Sequence, residues 1–140
     1  MIEFEVPGKP RPQGSKRHVG KGRMIESSPY VAAWREMVAC MAHQEMQRNK
    51  LTCHPKGVPI IVYARLYFER PACHFKKSGL KSDAPLFHAQ KPDVDKVSRA
   101  ILDGLTGIVF ADDSQVIRLD VHKNWYDRDY TIIRVGEAPW

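Results

Sequence analysis

The sequence predicts an α+β domain in which packed helices cover a mixed β-sheet. Three observations predict it. The segments run in the order strand, helix, strand, helix, strands. The strand segments either alternate or are rich in β-branched and aromatic residues. No internal repeat or linker divides the 140 residues, so a single domain over 1–140 with one hydrophobic core is expected.

The elements follow from the N-terminus. Ile2, Phe4 and Val6 alternate with Glu3 and Glu5, the pattern of a half-buried strand, and Pro7-Gly8 stops it. Residues 9–23, KPRPQGSKRHVGKGR, hold prolines at 10 and 12 and glycines at 14, 20 and 22, which predicts a loop. Ser27-Ser28-Pro29 reads as a helix start, with serine as cap and proline in the first turn. Val31, Trp34, Val38, Met41 and Ala42 then recur at helical spacing, giving an amphipathic helix over about 29–48. Residues 58–68, VPIIVYARLYF, form a strand. Residues 69–90 show no clear period, and a loop of that length in a compact domain usually marks function or disorder. A second helix is expected from about Asp93 to Leu105, with Val97, Ala100, Ile101, Gly104 and Leu105 as its apolar stripe. The short run GIVF (107–110) leads to Asp112-Asp113. Val116–Lys123 alternates and Tyr130–Val135 reads as a strand, with Asp127-Arg128-Asp129 as the turn of a C-terminal hairpin.

Composition excludes several classes of function. No run approaches the roughly 20 apolar residues of a membrane helix. The opening MIEFEVPGKP has acids where a secretory signal carries positive charge, so a cytosolic protein is expected. The cysteines, Cys40, Cys53 and Cys73, are odd in number, which argues against a disulfide framework. Cys53-His54, Cys73-His74 and the Cys40/His43 neighbourhood lack the paired C-x₂₋₄-C spacing of a strong zinc site. His74 and His88 are read as polar contacts, with a role on DNA as the alternative.

Charge is more informative. The formal net charge is +6, from 22 Lys/Arg and 16 Asp/Glu. Six of the bases (Lys9, Arg11, Lys16, Arg17, Lys21, Arg23) fall in residues 9–23 with no acid among them, which leaves 16 against 16 elsewhere. Such a segment attracts phosphates by Coulomb energy and counterion release. Lys76, Lys77 and Lys81 in the long loop are further candidates for DNA backbone contacts. A solvated basic loop is the plain alternative.

The chemistry is concentrated in Lys91-Pro92-Asp93-Val94-Asp95-Lys96 and in Asp112-Asp113. Proline biases Lys91 toward an extended backbone. Residues two apart share a face on an extended segment but diverge by about 200° on a helix, so Asp93 and Asp95 converge only if this junction is extended or turn-like. Carboxylates are the ligands that Mg2+ prefers, and such an ion activates water and stabilises charge on phosphorus oxygens. The plain readings are a helix cap for Asp95 and a turn for Asp112-Asp113. Arg99, four residues after Asp95, either joins a surface ladder Asp95–Arg99–Asp103 or contacts the scissile phosphate, with Lys96 as a second candidate for that task.

The segment KPDVDKVSRAILDGLTGIVFADDSQV resembles the RusA-type Holliday junction resolvases. That family shows KPD-x-D opening a helix, LD-x-L further along, and a DDSQV-like segment before a strand. The opening strand with its basic Pro/Gly-rich loop, and Arg70-Pro71 through His74, are similar to the family as well. The resemblance implies a RusA-like fold and a homodimeric, Mg2+-dependent endodeoxyribonuclease. It would cut four-way junctions by paired phosphodiester hydrolysis in recombination and repair, an activity common in phages and prophages. It maps the essential carboxylates onto Asp93, Asp95 and Asp113, which would bind one or two Mg2+. It places Arg99 where the family has a catalytic lysine, and Lys96 where asparagine is frequent. Arginine stays charged and is no ready proton donor, so Arg99 or Lys96 is expected to act electrostatically. The alternatives are a nuclease for another branched DNA, such as a flap or fork, and a non-catalytic DNA-binding protein.

Overall fold

In the computed structural model the chain forms an α+β domain with one main sheet and two helices. The structure describes residues 1–14, 16–18, 24–26 and 29–139, the two short middle stretches by backbone alone. The expected serine cap at 27–28, and Lys21 and Arg23, lie outside the described residues.

Strand β1 (Ile2–Pro7) buries Ile2, Phe4 and Val6 and exposes the residues between them, as alternation dictates. The basic segment is not wholly loop: β2 (Lys16–His18) pairs antiparallel with β3 (Met24–Glu26). Helix α1 (Pro29–Arg48) buries Val31, Trp34, Val38, Ala42 and Met46 at three- and four-residue steps, so one stripe meets the core. Strand β4 (Ile60–Glu69) is apolar along most of its length because it runs through the middle of the sheet. The long connection that follows is more ordered than its sequence suggests. It holds a 3-10 turn (Ala72–His74) and a small hairpin of β5 (Phe75–Lys76) and β6 (Gly79–Leu80). Helix α2 (Val94–Leu105) presents Val97, Ala100, Ile101 and Leu105 to the core, where each large side chain contributes about 1.5–3 kcal/mol. Gly104 lets α2 approach α1 closely: a Cβ there would lie 3.0 Å from the Arg35 carbonyl oxygen and from Val38. Strands β7 (Val116–Tyr126) and β8 (Tyr130–Glu137) complete the sheet.

The sheet order is β1-β8-β4-β7, with β8 antiparallel to β1 and β4, and β4 parallel to β7. The expected C-terminal hairpin therefore does not form. β4 lies between β7 and β8, and residues 127–129 arch over its end, a span of two strand spacings or roughly 10 Å. Asp129 Oδ1 accepts the Glu69 N–H at 2.9 Å there and caps the end of β4. Local turn residues announce a reversal of the chain, but they carry no record of a third strand inserted between its arms.

Both helices cover one face of the sheet, α1 near β1 and α2 beside β7. On the opposite face Tyr63 sits between the guanidinium groups of Arg118 and Arg134, 5.4 and 5.7 Å from its ring centre. No helix of the described residues is long and apolar enough to cross a membrane.

Candidate active site

Asp93 ends an extended segment and opens α2. Its backbone (φ −70, ψ 135) is extended, and its side chain makes no capping hydrogen bond. The N-cap is thus Asp93 rather than Asp95, which lies in the first helical turn. The junction is extended at Asp93 but helical at Asp95, so only half of the geometry needed for convergence is present. Asp93 Oδ2 instead lies 3.4 Å from Lys96 Nζ, with both side chains half exposed. Such a pair is worth about 0–1 kcal/mol and yields readily to a stronger partner.

Asp113 is delivered by a separate device. Phe110 is fully buried, and His54 brackets it through backbone bonds to Val109 and Ala111. Asp112 then caps a 3-10 turn (Asp113–Gln115). Its Oδ1 accepts the Ser114 N–H at 2.9 Å, while its own N–H donates to Gln115 Oε1. Gln115 Nε2 donates to the carbonyls of Pro55 and Val58 and locks the turn to the loop before β4. The Ser114 N–H holds the Asp112 carboxyl below its ordinary pKa. The two adjacent aspartates therefore divide the work. Asp112 builds the turn, and Asp113 is left facing outward.

Outward from Asp113 is a hollow of about 470 Å³ whose lining includes Asp95, Ser98, Arg99 and Asp113, with Leu119 and Val121 as its apolar wall. Asp95 and Arg99 come from one face of α2, four residues apart, and Asp113 comes from the turn before β7. Ser98 turns its hydroxyl back onto the Val94 carbonyl at 2.7 Å, so the charged groups lining the hollow among the described residues are two carboxylates and one guanidinium. The ladder Asp95–Arg99–Asp103 does not form among the described residues. Asp93 and Lys96 are not part of the lining. Among the described residues no three His, Cys, Asp or Glu side chains come together at metal-binding range.

The structure also shows supports that periodicity did not reveal. β7 turns Leu119, Val121, Lys123 and Trp125 to the α2 side of the sheet. Lys123 Nζ donates to the carbonyls of Gln90 and, at 3.0 Å, Pro92. Trp125 Nε1 donates to the Phe87 carbonyl at 3.2 Å. His88 stacks on the Trp125 ring with centroids 3.9 Å apart, and His74 meets the same ring edge-on at 5.0 Å. Arg70 donates to the Pro85 carbonyl at 2.7 Å. Both histidines are 6% exposed and clasp the long loop to β7. Burial, and then the charge of Lys123, hold the His88 pKa below its ordinary value. The basic segment is anchored at Gln13. The Gln13 N–H donates to the Lys96 carbonyl at 2.9 Å, and Arg35 donates to Gln13 Oε1 at 2.8 Å.

Most of the described cationic candidates lie at the surface. Lys9 is exposed, and Arg11 is half-buried with its guanidinium 4.9 Å from the Tyr30 ring centre. Lys16 and Arg17 lie on β2, where only the backbone is described. Lys76, Lys77 and Lys81 are exposed on the β5–β6 hairpin and its exit. The cysteines are free, with Cys40 and Cys73 exposed.

Residues 6–136 match the family described as endodeoxyribonuclease RusA, a span that includes both aspartate-bearing segments and all of β4, α2 and β7. The chain belongs to the RusA family. RusA-family membership makes it one of a group of endodeoxyribonucleases. Among relatives, the chain is 30% identical over 144 residues to the uncharacterised protein YqaN of Bacillus subtilis (strain 168), covering 98% of this chain and 96% of that one.

Proposed function

We propose that this RusA-family protein is a Mg2+-dependent, structure-specific endodeoxyribonuclease that resolves Holliday junctions in recombination and repair. The observation that carries the proposal is the shared hollow of Asp95, Arg99 and Asp113. Two carboxylates and one guanidinium, brought from separate parts of the chain, support phosphodiester hydrolysis as the chemistry. Hard oxygen ligands favour Mg2+, which is commonly held by one or two carboxylates, substrate phosphate and water. Asp95 and Asp113 would supply those carboxylates. Asp93, the N-cap two residues before Asp95, would join them on releasing Lys96. An ion held by these carboxylates would supply Lewis-acid charge at the phosphorus oxygens and a more nucleophilic water.

Arg99 orients the scissile phosphate and stabilises the charge that grows on it in the transition state. The basic segment from Lys9 to Arg23 and the lysines at 76, 77 and 81 hold the DNA by its backbone, in a sequence-independent way. A four-way junction has two-fold symmetry, so a homodimer would offer it two equivalent sites for paired cuts.

The test uses a labelled synthetic four-way junction, a flap and a linear duplex, each incubated with Mg2+ and then with EDTA. Symmetric junction cuts that need the ion, and that Asp95→Asn and Asp113→Asn abolish without loss of binding, are expected. Preferential cutting of the flap would move the substrate to another branched DNA. Metal-independent binding with no cutting would leave only a DNA-binding protein.

A further inference from the structure

The long loop ends in an unusual display. Leu86 and Phe87 are 75% and 77% exposed, side by side, while the residues around them are fastened from behind. The Phe87 carbonyl is held by Trp125, the Pro85 carbonyl by Arg70, and His88 is buried against the Trp125 ring. Gln90 and Pro92 are fixed by Lys123, and Asp93 follows directly. An exposed aromatic on a pinned backbone loses little conformational entropy when it inserts into a partner.

The surrounding charge selects the partner. Residues 70–91 carry Arg70, Lys76, Lys77, Lys81 and Lys91 against the single acid Asp83. Two copies of this chain meeting through such a loop about a two-fold axis would set like charges against each other, which is costly. A polyanion relieves the same charge. Nucleic acid offers both phosphates for the cations and base faces for an aromatic ring.

We infer that Phe87, flanked by Leu86, is an apolar wedge that stacks on exposed base pairs at a DNA branch point and sets the selectivity for branched over linear DNA. Linear duplex stacks its bases internally, and opening a step costs a few kcal/mol. A branch point already exposes base-pair faces, so the wedge gains there without that cost. The inference rests on the branched-DNA reading above. Phe87 is a positioning residue, not a catalytic one.

The experiment measures binding in EDTA, so cleavage plays no part. Wild type, Phe87→Ala and Phe87→Trp are titrated against a four-way junction with 2-aminopurine at the branch, and against a linear duplex of the same sequence. Wild type should raise the 2-aminopurine fluorescence on binding. Phe87→Ala should lose that rise and bind the junction about 10-fold or more weakly, with duplex affinity unchanged. Phe87→Trp should restore both. Equal junction affinity and fluorescence for wild type and Phe87→Ala overturns the wedge while leaving the nuclease reading intact. Conversion of a dimer to a monomer by Phe87→Ala in sedimentation also overturns it, by making the pair a subunit contact. A wild type with no preference for the junction defeats the underlying reading itself.

Discussion

Lys123 Nζ lies 3.0 Å from the carbonyl oxygen of Pro92, so an amine on β7 fixes the residue before the one that opens α2. The same amine reaches the Gln90 carbonyl. No other side chain bonds those two carbonyls among the described residues. Lys123→Met should therefore let the approach to Asp93 drift. A misplacement of about 1 Å at a reacting centre costs on the order of 100-fold in rate. Junction cleavage is expected to fall about 10- to 100-fold while the far-UV circular dichroism stays unchanged. The His88 titration followed by NMR should also move up, since Lys123 helps hold it down.

His88 makes part of the loop's attachment sensitive to pH. Its folded pKa lies below the ordinary 6.5, chiefly through burial. The unfolded chain therefore binds the proton more readily, and stability rises with pH wherever that difference is felt. The clasp contributes fully above the ordinary value and weakens as pH falls below it. The melting temperature of wild type should drop between about pH 7 and about pH 5. His88→Phe, which keeps a ring against Trp125, should flatten that part of the profile. An equal slope in both proteins would remove His88 as its source.

Asp112 and Asp113 should separate cleanly under mutation. Asp112→Ala removes the acceptor for the Ser114 N–H and should lower the melting temperature, with cleavage falling only as far as the turn loosens. Asp113→Asn keeps the turn and should leave stability unchanged or slightly raised, while cleavage falls by more than about 100-fold. The reverse pattern would exchange their roles.

Arg99 is expected to act by charge and direction. Arg99→Gln should reduce junction cleavage about 100- to 1,000-fold, the loss typical of removing one transition-state donor. Arg99→Lys should recover a large part of it, since a cation returns. Binding measured with Ca2+ should change much less than the rate.

Gly104 has no room for a larger side chain. Gly104→Val would press on the Arg35 carbonyl and Val38 at once. Overpacking of this kind costs about 1–3 kcal/mol, read as a lower denaturation midpoint in urea. Arg35 also holds Gln13, so DNA affinity should weaken along with stability.

Much of this was legible in the sequence. Both helices and the four long strands fall within a few residues of where periodicity puts them, because burial on one face writes a period of 3.6 or 2 into the chain. Asp95, Arg99 and the Asp112-Asp113 pair were named from residue chemistry and spacing, the motif resemblance singled out Asp113, and the fold brings Asp95, Arg99 and Asp113 to one hollow. Asp93 and Lys96 were named with them but pair with each other instead. What could not be read was side-chain-to-backbone support across long separations. Lys123 looks like any polar residue on an alternating strand, and Trp125 like any apolar one. Their carbonyl partners lie more than 30 residues earlier and have no side-chain signature. His74 and His88, read as polar contacts with DNA as the alternative, pack on the Trp125 ring, and nothing local tells a clasp from a surface histidine.

The placement of β4 between β7 and β8 has a bearing on how the protein acquires its shape. The last two long strands cannot zip together as an autonomous ribbon and wait for the rest. Each must find the same earlier strand from opposite sides, across separations of about half the chain. Ordering those distant segments precedes most of the reward, so acquisition of structure should be slow for a chain this short, on the millisecond-to-second side of the usual range. Until then the flanks of β4 are open to neighbouring molecules, and a ribosome-bound fragment that stops before Tyr130 would depend on chaperone cover.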